Sequence, residues 1–387
     1  MLRQRASWGY KSRWDDMQNV MGIINLNEGQ NFLAQLTQRR PLAAIPFGGR
    51  YRIIDFILSN MVNSGIQNVG ILVEDKYRAL MDHLRSGKEW DLARKRDGLF
   101  ILPPGRSQFS KENYHGSVEK FYNNLDYIES SRQQYVLIAG SHIICNLSYR
   151  KAFRFHQDVG ADITLLYKEH NSDEELVEYS IVECQANGLI TDIAINSSSP
   201  LSRKISLDMY IMKKDLLVNL IRNCHSRGGL DFIQDIVIKN IGTLKMYGYP
   251  HKGYVARVDC VRNYYKHNME LLKPEKWEEL FFKSGLVYTK VKDEAPVKYK
   301  ENARVSNAMI GNGCIIEGHV ENSILFRGVA VHKGAYIKDS IVMQKCDIAE
   351  NAVIENVICD KNVKITNGQW LKGEANCPLV IEKGSVI

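Results

Sequence analysis

At 387 residues the chain is longer than one hydrophobic core usually supports, so two domains are expected. Its 44% hydrophobic and 25% charged residues are those of a globular protein, and no apolar run approaches the roughly 20 residues that span a bilayer. The 51 Lys and Arg against 44 Asp and Glu leave a formal charge of +7 without any basic block interleaved with aromatics, which argues against nucleic acid and suits small phosphorylated ligands.

Residues 1–16 are basic and aromatic, lack the apolar centre of a secretion signal, and end in Asp15-Asp16 just before a second methionine, Met17. They are expected to be a disordered or artefactual extension. Over 17–272, apolar runs of strand length at 20–26, 69–73, 135–139, 163–168 and 209–212 alternate with helix-like segments at 51–64, 77–84 and 118–130. This alternation predicts a Rossmann-like α/β domain with a mostly parallel, mixed sheet, and such sheets bind ligands beyond the carboxyl ends of their strands. The polar turn after Leu26 and the segment Gly140-Ser141-His142 fall at that edge. Residues 273–302, with two prolines, many charges and the aromatics Trp277, Phe281 and Phe282, read as an ordered connector, because aromatics at this density need a surface to pack on.

Beyond the connector, apolar residues recur every six positions: Ile310 and Ile316; Val331, Ile337 and Met343; Ile348 and Ile354; Val357 and Val363. A six-residue period places one flat side of a triangular coil per hexapeptide, so 303–387 is expected to be a parallel β-helix. Corner loops account for the slips of phase near Asn322 and Gln344. A β-sandwich is the competing reading, but its strands would alternate every two residues. The eight cysteines lie singly, without a CxxC pair, which points to reduced thiols in a cytoplasmic protein. No histidines are spaced as HxxxH or HxH, so none is expected to hold a metal.

The segment PFGGRYRIIDFILSNMVNSGI at 46–66 is followed in order by YHGSVEKFYNNLDYI at 114–128, YVLIAG at 135–140, GADITLLY at 160–167, DFIQDIV at 231–237, YYKHNMELL at 264–272 and PLVIEKGSVI at 378–387. Together these resemble the ADP-glucose pyrophosphorylases, and within that family the non-catalytic D-type subunit of Gram-positive bacterial glycogen synthesis. The resemblance implies an α/β nucleotidyltransferase domain followed by a C-terminal left-handed parallel β-helix. It also implies a family chemistry that makes ADP-glucose and pyrophosphate from ATP and glucose 1-phosphate with magnesium.

It is at the family's catalytic positions that this chain departs. The triphosphate loop of active members, GGxGxRL, matches Asn27-Glu28-Gly29-Gln30-Asn31-Phe32-Leu33, so Phe32 replaces the arginine and Glu28 would face the phosphates. Like unit charges ~4 Å apart repel by about 4 kcal/mol at an effective dielectric near 20, enough to cancel most of a millimolar affinity. Leu42 stands for a lysine, and Ser141 and Arg257 stand for the two aspartates that hold magnesium. Asn196 lies in a stretch without the Glu-Lys pair that holds the sugar phosphate. Gly29, His115, Gly116, Ser117, Gly140 and Ser206 mark a residual nucleotide and sugar cleft by the same comparison. Arg39, Arg40, Arg50 and Arg52 are the candidates for an effector phosphate, since a guanidinium fork grips phosphate bidentately.

The expected function is that of a catalytically degenerate, modulatory subunit with no metal or cofactor of its own. It would assemble with a catalytic ADP-glucose pyrophosphorylase subunit into a hetero- or homo-tetramer, with Mg2+ only at the catalytic partner, and would tune that partner allosterically. Two alternatives stay open. One is a weakly active or altered-specificity sugar-phosphate nucleotidyltransferase that uses Asp162, Asp208 or Asp259 for the metal; the other is a stand-alone sugar-phosphate sensor.

Overall fold

The structure is a computed structural model that describes residues 15–26, 33–104, 116–170, 179–195 and 202–387. The expected phosphate turn with Glu28, Gly29 and Phe32, and also His115 and Asn196, lies outside the described residues.

The first domain is built on β1 (Val20–Asn25), β2 (Asn68–Leu72), β3 (Gly98–Leu102), β4 (Tyr135–Gly140), β5 (Ile143–Cys145), β6 (Ile163–Glu169), β7 (Ser180–Cys184), β8 (Ile190–Ile195), β9 (Lys204–Lys213), β10 (Met246–Pro250) and β11 (Val255–Arg257). Their order in the main sheet is β8-β7-β9-β4-β1-β2-β3, with β6 paired to β9 and β10 to β6. The strands β3, β2, β1 and β4 run parallel, whereas β9 is antiparallel to β4, β6 and β7, so the sheet is mixed as expected. The continuous apolar run of β1 is explained by burial on both faces between parallel neighbours. At its carboxyl end Asn25 pairs with Leu72 on one side and Gly140 on the other, which opens the crevice typical of such sheets.

Two expected helices differ in detail. The segment 51–64 opens as a strand, Tyr51–Arg52, which pairs back on Pro46–Phe47 around Gly48 and Gly49, both at positive φ. Helix α1 (Ile53–Ser64) then starts with the Arg52 N–H donating to Asp55 Oδ2 at 2.9 Å. The segment 118–130 divides into α2 (Ser117–Asn123) and Leu125–Ser130. At the break, Asn124 Nδ2 donates to the Lys120 carbonyl, which its own backbone N–H would take in an unbroken helix.

The C-terminal domain is the left-handed parallel β-helix. Its first strand, Lys298–Tyr299, falls within the connector, and Ile315–Ile316, Ala330–Val331, Asp347–Ile348 and Lys364–Ile365 stack on it as one flat face. His319–Leu325 turns a corner at Asn322, φ 43°, and so serves the other two faces, pairing with Tyr336–Lys338 before the corner and Ile341–Val342 after it. The second slip of phase is the turn at Gln344 and Lys345, where φ is 59°. Ile316, Val331, Ile337, Ile348, Ile354, Val357 and Val363 fill the coil. Met343 does not: it packs outward against the α/β domain.

That outward packing joins the two halves. Ile324, Ile341 and Ile358 stack in register on one β-helix face. They share a buried cluster with Leu42, Phe47 and Phe56, with Tyr264 and Tyr265 of α3 (Val261–Glu270), and with Phe281 of α4 (Pro274–Phe281). Phe281 lies 4.8 Å from the Tyr51 ring and 5.7 Å from the Phe56 ring, so the connector is packed against the PFGGRYR hairpin. Trp277 and Phe282 of the same aromatic run stay exposed.

Candidate functional site

Gly140 ends β4 at the crevice, and its neighbour Ser141 is fully buried with Oγ lacking a hydrogen-bond partner among the described residues. Asn25 Oδ1, across the crevice at the end of β1, is likewise buried and unmatched. Polar atoms left in this state are costly, and they mark the crevice as built for something polar.

His142 follows directly, with Nε2 3.0 Å from Asp208 Oδ2. Asp208 sits at a kink of β9 with φ 50°, and Ser206 Oγ both donates to its carboxylate at 3.1 Å and accepts its backbone N–H at 3.1 Å. Burial alone would raise the Asp208 pKa, but His142, Arg257 and Ser206 outweigh it and hold the carboxyl below its usual range. A side chain on Gly140 would press on the His142 ring, with Cε1 3.0 Å from an added Cβ. Gly140, Ser141, His142, Ser206 and Asp208 therefore form one cluster.

The two positions matched to magnesium aspartates are brought together by the pairing of β5 with β11. Arg257 registers with Ile143, and the Val258 N–H donates to the His142 carbonyl at 2.8 Å. Arg257 Nε donates to Asp259 Oδ2 at 2.8 Å, and its guanidinium lies over the Tyr179 ring at 4.7 Å. Asn263 Nδ2 donates to the other Asp259 oxygen at 2.7 Å, so both oxygens of that carboxylate are engaged. Asp162 lies at the amino end of β6, away from the crevice, where its carboxylate accepts the Lys245 N–H at 2.9 Å. Among the described residues no three His, Cys, Asp or Glu side chains converge as a metal cage.

The other cleft residues serve packing. An added Cβ on Gly116 would stand 2.2 Å from the Leu230 carbonyl oxygen, and Ser117 Oγ accepts the Phe232 N–H at 2.7 Å. Leu42, matched to a lysine, is buried in the interdomain cluster. Sequence reasoning missed Lys120, which is buried in α2, donates to the Leu26 carbonyl at 2.8 Å and pairs with Glu74. Its position three residues after Ser117, in the run that predicts a helix, was the available signal.

The four arginines divide between two places. Arg39, Arg40 and Arg52 line a small cavity of about 70 Å³ between the domains, together with Lys361 and Lys383. Arg40 is buried and its Nη2 donates to Asp360 Oδ2 at 2.6 Å, while Arg52 Nη1 donates to the Ala79 carbonyl at 2.7 Å. Burial lowers the Arg52 pKa to about 10 and, with Arg52 and Arg40 adding repulsion, brings Lys361 down to about 6. Arg50 instead faces a second cavity, of about 170 Å³, with Lys292 and Arg327. Lys361 carries no signal in the sequence, since it is one of many polar residues at hexapeptide turns.

Comparison with known proteins places these features in a lineage. The nucleotidyl transferase family profile matches residues 31–278, and the GlmU-like C-terminal hexapeptide profile matches residues 294–374. The chain is 41% identical to a glycogen biosynthesis protein GlgD of Bacillus subtilis (strain 168), over 95% of this chain and 96% of that one. It is 40% identical to a protein of the same name from Geobacillus stearothermophilus, over 95% of this chain and 97% of the other. A glucose-1-phosphate adenylyltransferase of Fervidobacterium nodosum is 32% identical over 91% of this chain and 85% of its own length. With its α/β domain, its hexapeptide β-helix and these relatives, the chain belongs to the nucleotidyl transferase family, in the glycogen-synthesis branch that includes the GlgD proteins and the glucose-1-phosphate adenylyltransferases.

Proposed function

We propose that this chain is a catalytically degenerate, modulatory subunit that acts in the cytoplasm on a catalytic glucose-1-phosphate adenylyltransferase subunit. The observation that carries this reading is the occupancy of the crevice: Asp208 is already held by His142 and Ser206, and Asp259 by Arg257 and Asn263, while Ser141 and Arg257 are the residues that the family resemblance matches to the two magnesium aspartates. Magnesium is a hard cation that takes carboxylate and water oxygens, and a guanidinium at its place repels it. This donor set does not fit the ion, on whose charge neutralisation nucleotidyl transfer depends.

Regulation is assigned to the basic cavity of Arg39, Arg40, Arg52, Lys361 and Lys383, which suits a sugar phosphate or phosphate effector. Its lining comes from both domains, so an anion there would bias how they pack, and any subunit in the same tetramer would feel the shift. The test is pyrophosphate release from ATP and glucose 1-phosphate, measured for this chain alone, for a catalytic subunit alone and for the two mixed. Expected are no turnover by the lone chain and a changed turnover or effector response in the mixture. Magnesium-dependent turnover by the lone chain would sink the proposal and favour the weakly active enzyme, for which the unmatched Asn25 and Ser141 atoms speak.

A further inference from the structure

The hairpin of β7 and β8 is tied to β9 by one registered pair, Ile205 with Ile181. Beside that pair, Lys204 Nζ lies 3.0 Å from Cys184 Sγ. That is as near as nitrogen and oxygen in an ordinary N–H···O hydrogen bond, about 2.7–3.2 Å, despite the larger radius of sulfur. The ammonium also lies 5.6 Å from the centre of the Tyr167 ring. Both side chains are half-buried, so a small oxidant reaches them. Cys145, Cys346 and Cys359 are instead enclosed, with burial pushing their thiols up.

We propose that Cys184 and Lys204 are the site of a reversible nitrogen–oxygen–sulfur cross-link formed by peroxide. The Cys184 thiol first attacks one peroxide molecule, giving sulfenic acid and water. A second peroxide and the free-amine form of Lys204 then complete the link: the S–O bond of the sulfenic acid is kept, an O–N bond forms, one N–H and the sulfenic O–H are lost, and two waters leave. Sulfur and nitrogen are each oxidised by two electrons, and each of the two peroxides is reduced by two. At 3.0 Å the atoms are too far apart for a direct S–N bond, and slightly beyond the span of two single bonds bent at one bridging oxygen, a gap that the flexible Lys204 side chain closes. A thiol reductant reverses the reaction. The link would pin β7 to β9, the strand that carries Ser206 and Asp208. It stands independently of the function proposed above.

The experiment treats the full chain with hydrogen peroxide, blocks remaining thiols by alkylation, and analyses protease digests by mass spectrometry with and without dithiothreitol. A peptide pair joining Cys184 to Lys204, heavier than the sum of its parts by one oxygen less two hydrogens and released by dithiothreitol, is expected as the main oxidised form of Cys184. It should be absent from Cys184→Ser and from Lys204→Arg, and the second keeps charge and fold. The proposal is overturned if peroxide leaves Cys184 unmodified, or takes it to sulfinic acid to the same extent in the wild-type and Lys204→Arg chains without any linked peptide.

Discussion

Lys361 stands among Arg40, Arg52 and Lys383, with Asp360 and Glu382 also lining the cavity, and its pKa is pushed down to about 6. The folded chain therefore binds fewer protons at this site than the unfolded chain from about 6 up to the ordinary lysine value of 10.5, and stability rises with pH through that window. Replacing Lys361 by Met should raise Tm at pH 7 by roughly 2 °C, with the gain shrinking toward pH 10. The same variant should show less stabilisation by inorganic phosphate, read in the same melts. Ser141 offers a second residue-scale test, because its buried position is tolerant of a hydroxyl but not of an unpaired charge. Ser141→Asp should cost about 1–3 kcal/mol in chemical denaturation and gain nothing from Mg2+ while Arg257 stays. A magnesium-dependent Tm rise is expected only in Ser141→Asp combined with Arg257→Asp.

At the scale of elements, the β5–β11 pair and the β9 kink decide which side chains meet. Sequence matching identified Ser141, Arg257 and Ser206 one by one, but not that His142 and Asp208 would pair between them, since residues 142 and 208 are joined only through the β4–β9 ladder. Helix α2 is held in a similar way, by the Leu230 carbonyl against Gly116 and the Val118 N–H. Gly116→Ala should destabilise by about 1–3 kcal/mol through overpacking against that carbonyl, measured by urea denaturation. The strand runs and the hexapeptide period were legible because burial on a regular element repeats at the element's own period. Met343 misled for the same reason, as the period records burial without saying which core the side chain enters.

For the molecule as a whole, the two domains are locked by the isoleucine ladder and by the buried Arg40–Asp360 pair at 2.6 Å. Breaking one partner leaves a desolvated charge, so Arg40→Ala or Asp360→Ala should cost about 3–5 kcal/mol, whereas Arg40→Met with Asp360→Leu should be near neutral. A double-mutant cycle of thermal or denaturant unfolding reads this directly, and the single variants should also separate the melting of the two halves. Composition, the strand and helix runs and the six-residue period were sufficient to specify an α/β domain followed by a β-helix, because each rests on local burial patterns. Which arginines are already paired, which carboxylates are already engaged, and how burial among cations lowers the Lys361 pKa were decided only by tertiary structure. Those properties depend on partners such as Asp360 for Arg40 and Arg257 for Asp259, and pairing and desolvation are set by distances in space that no periodicity encodes.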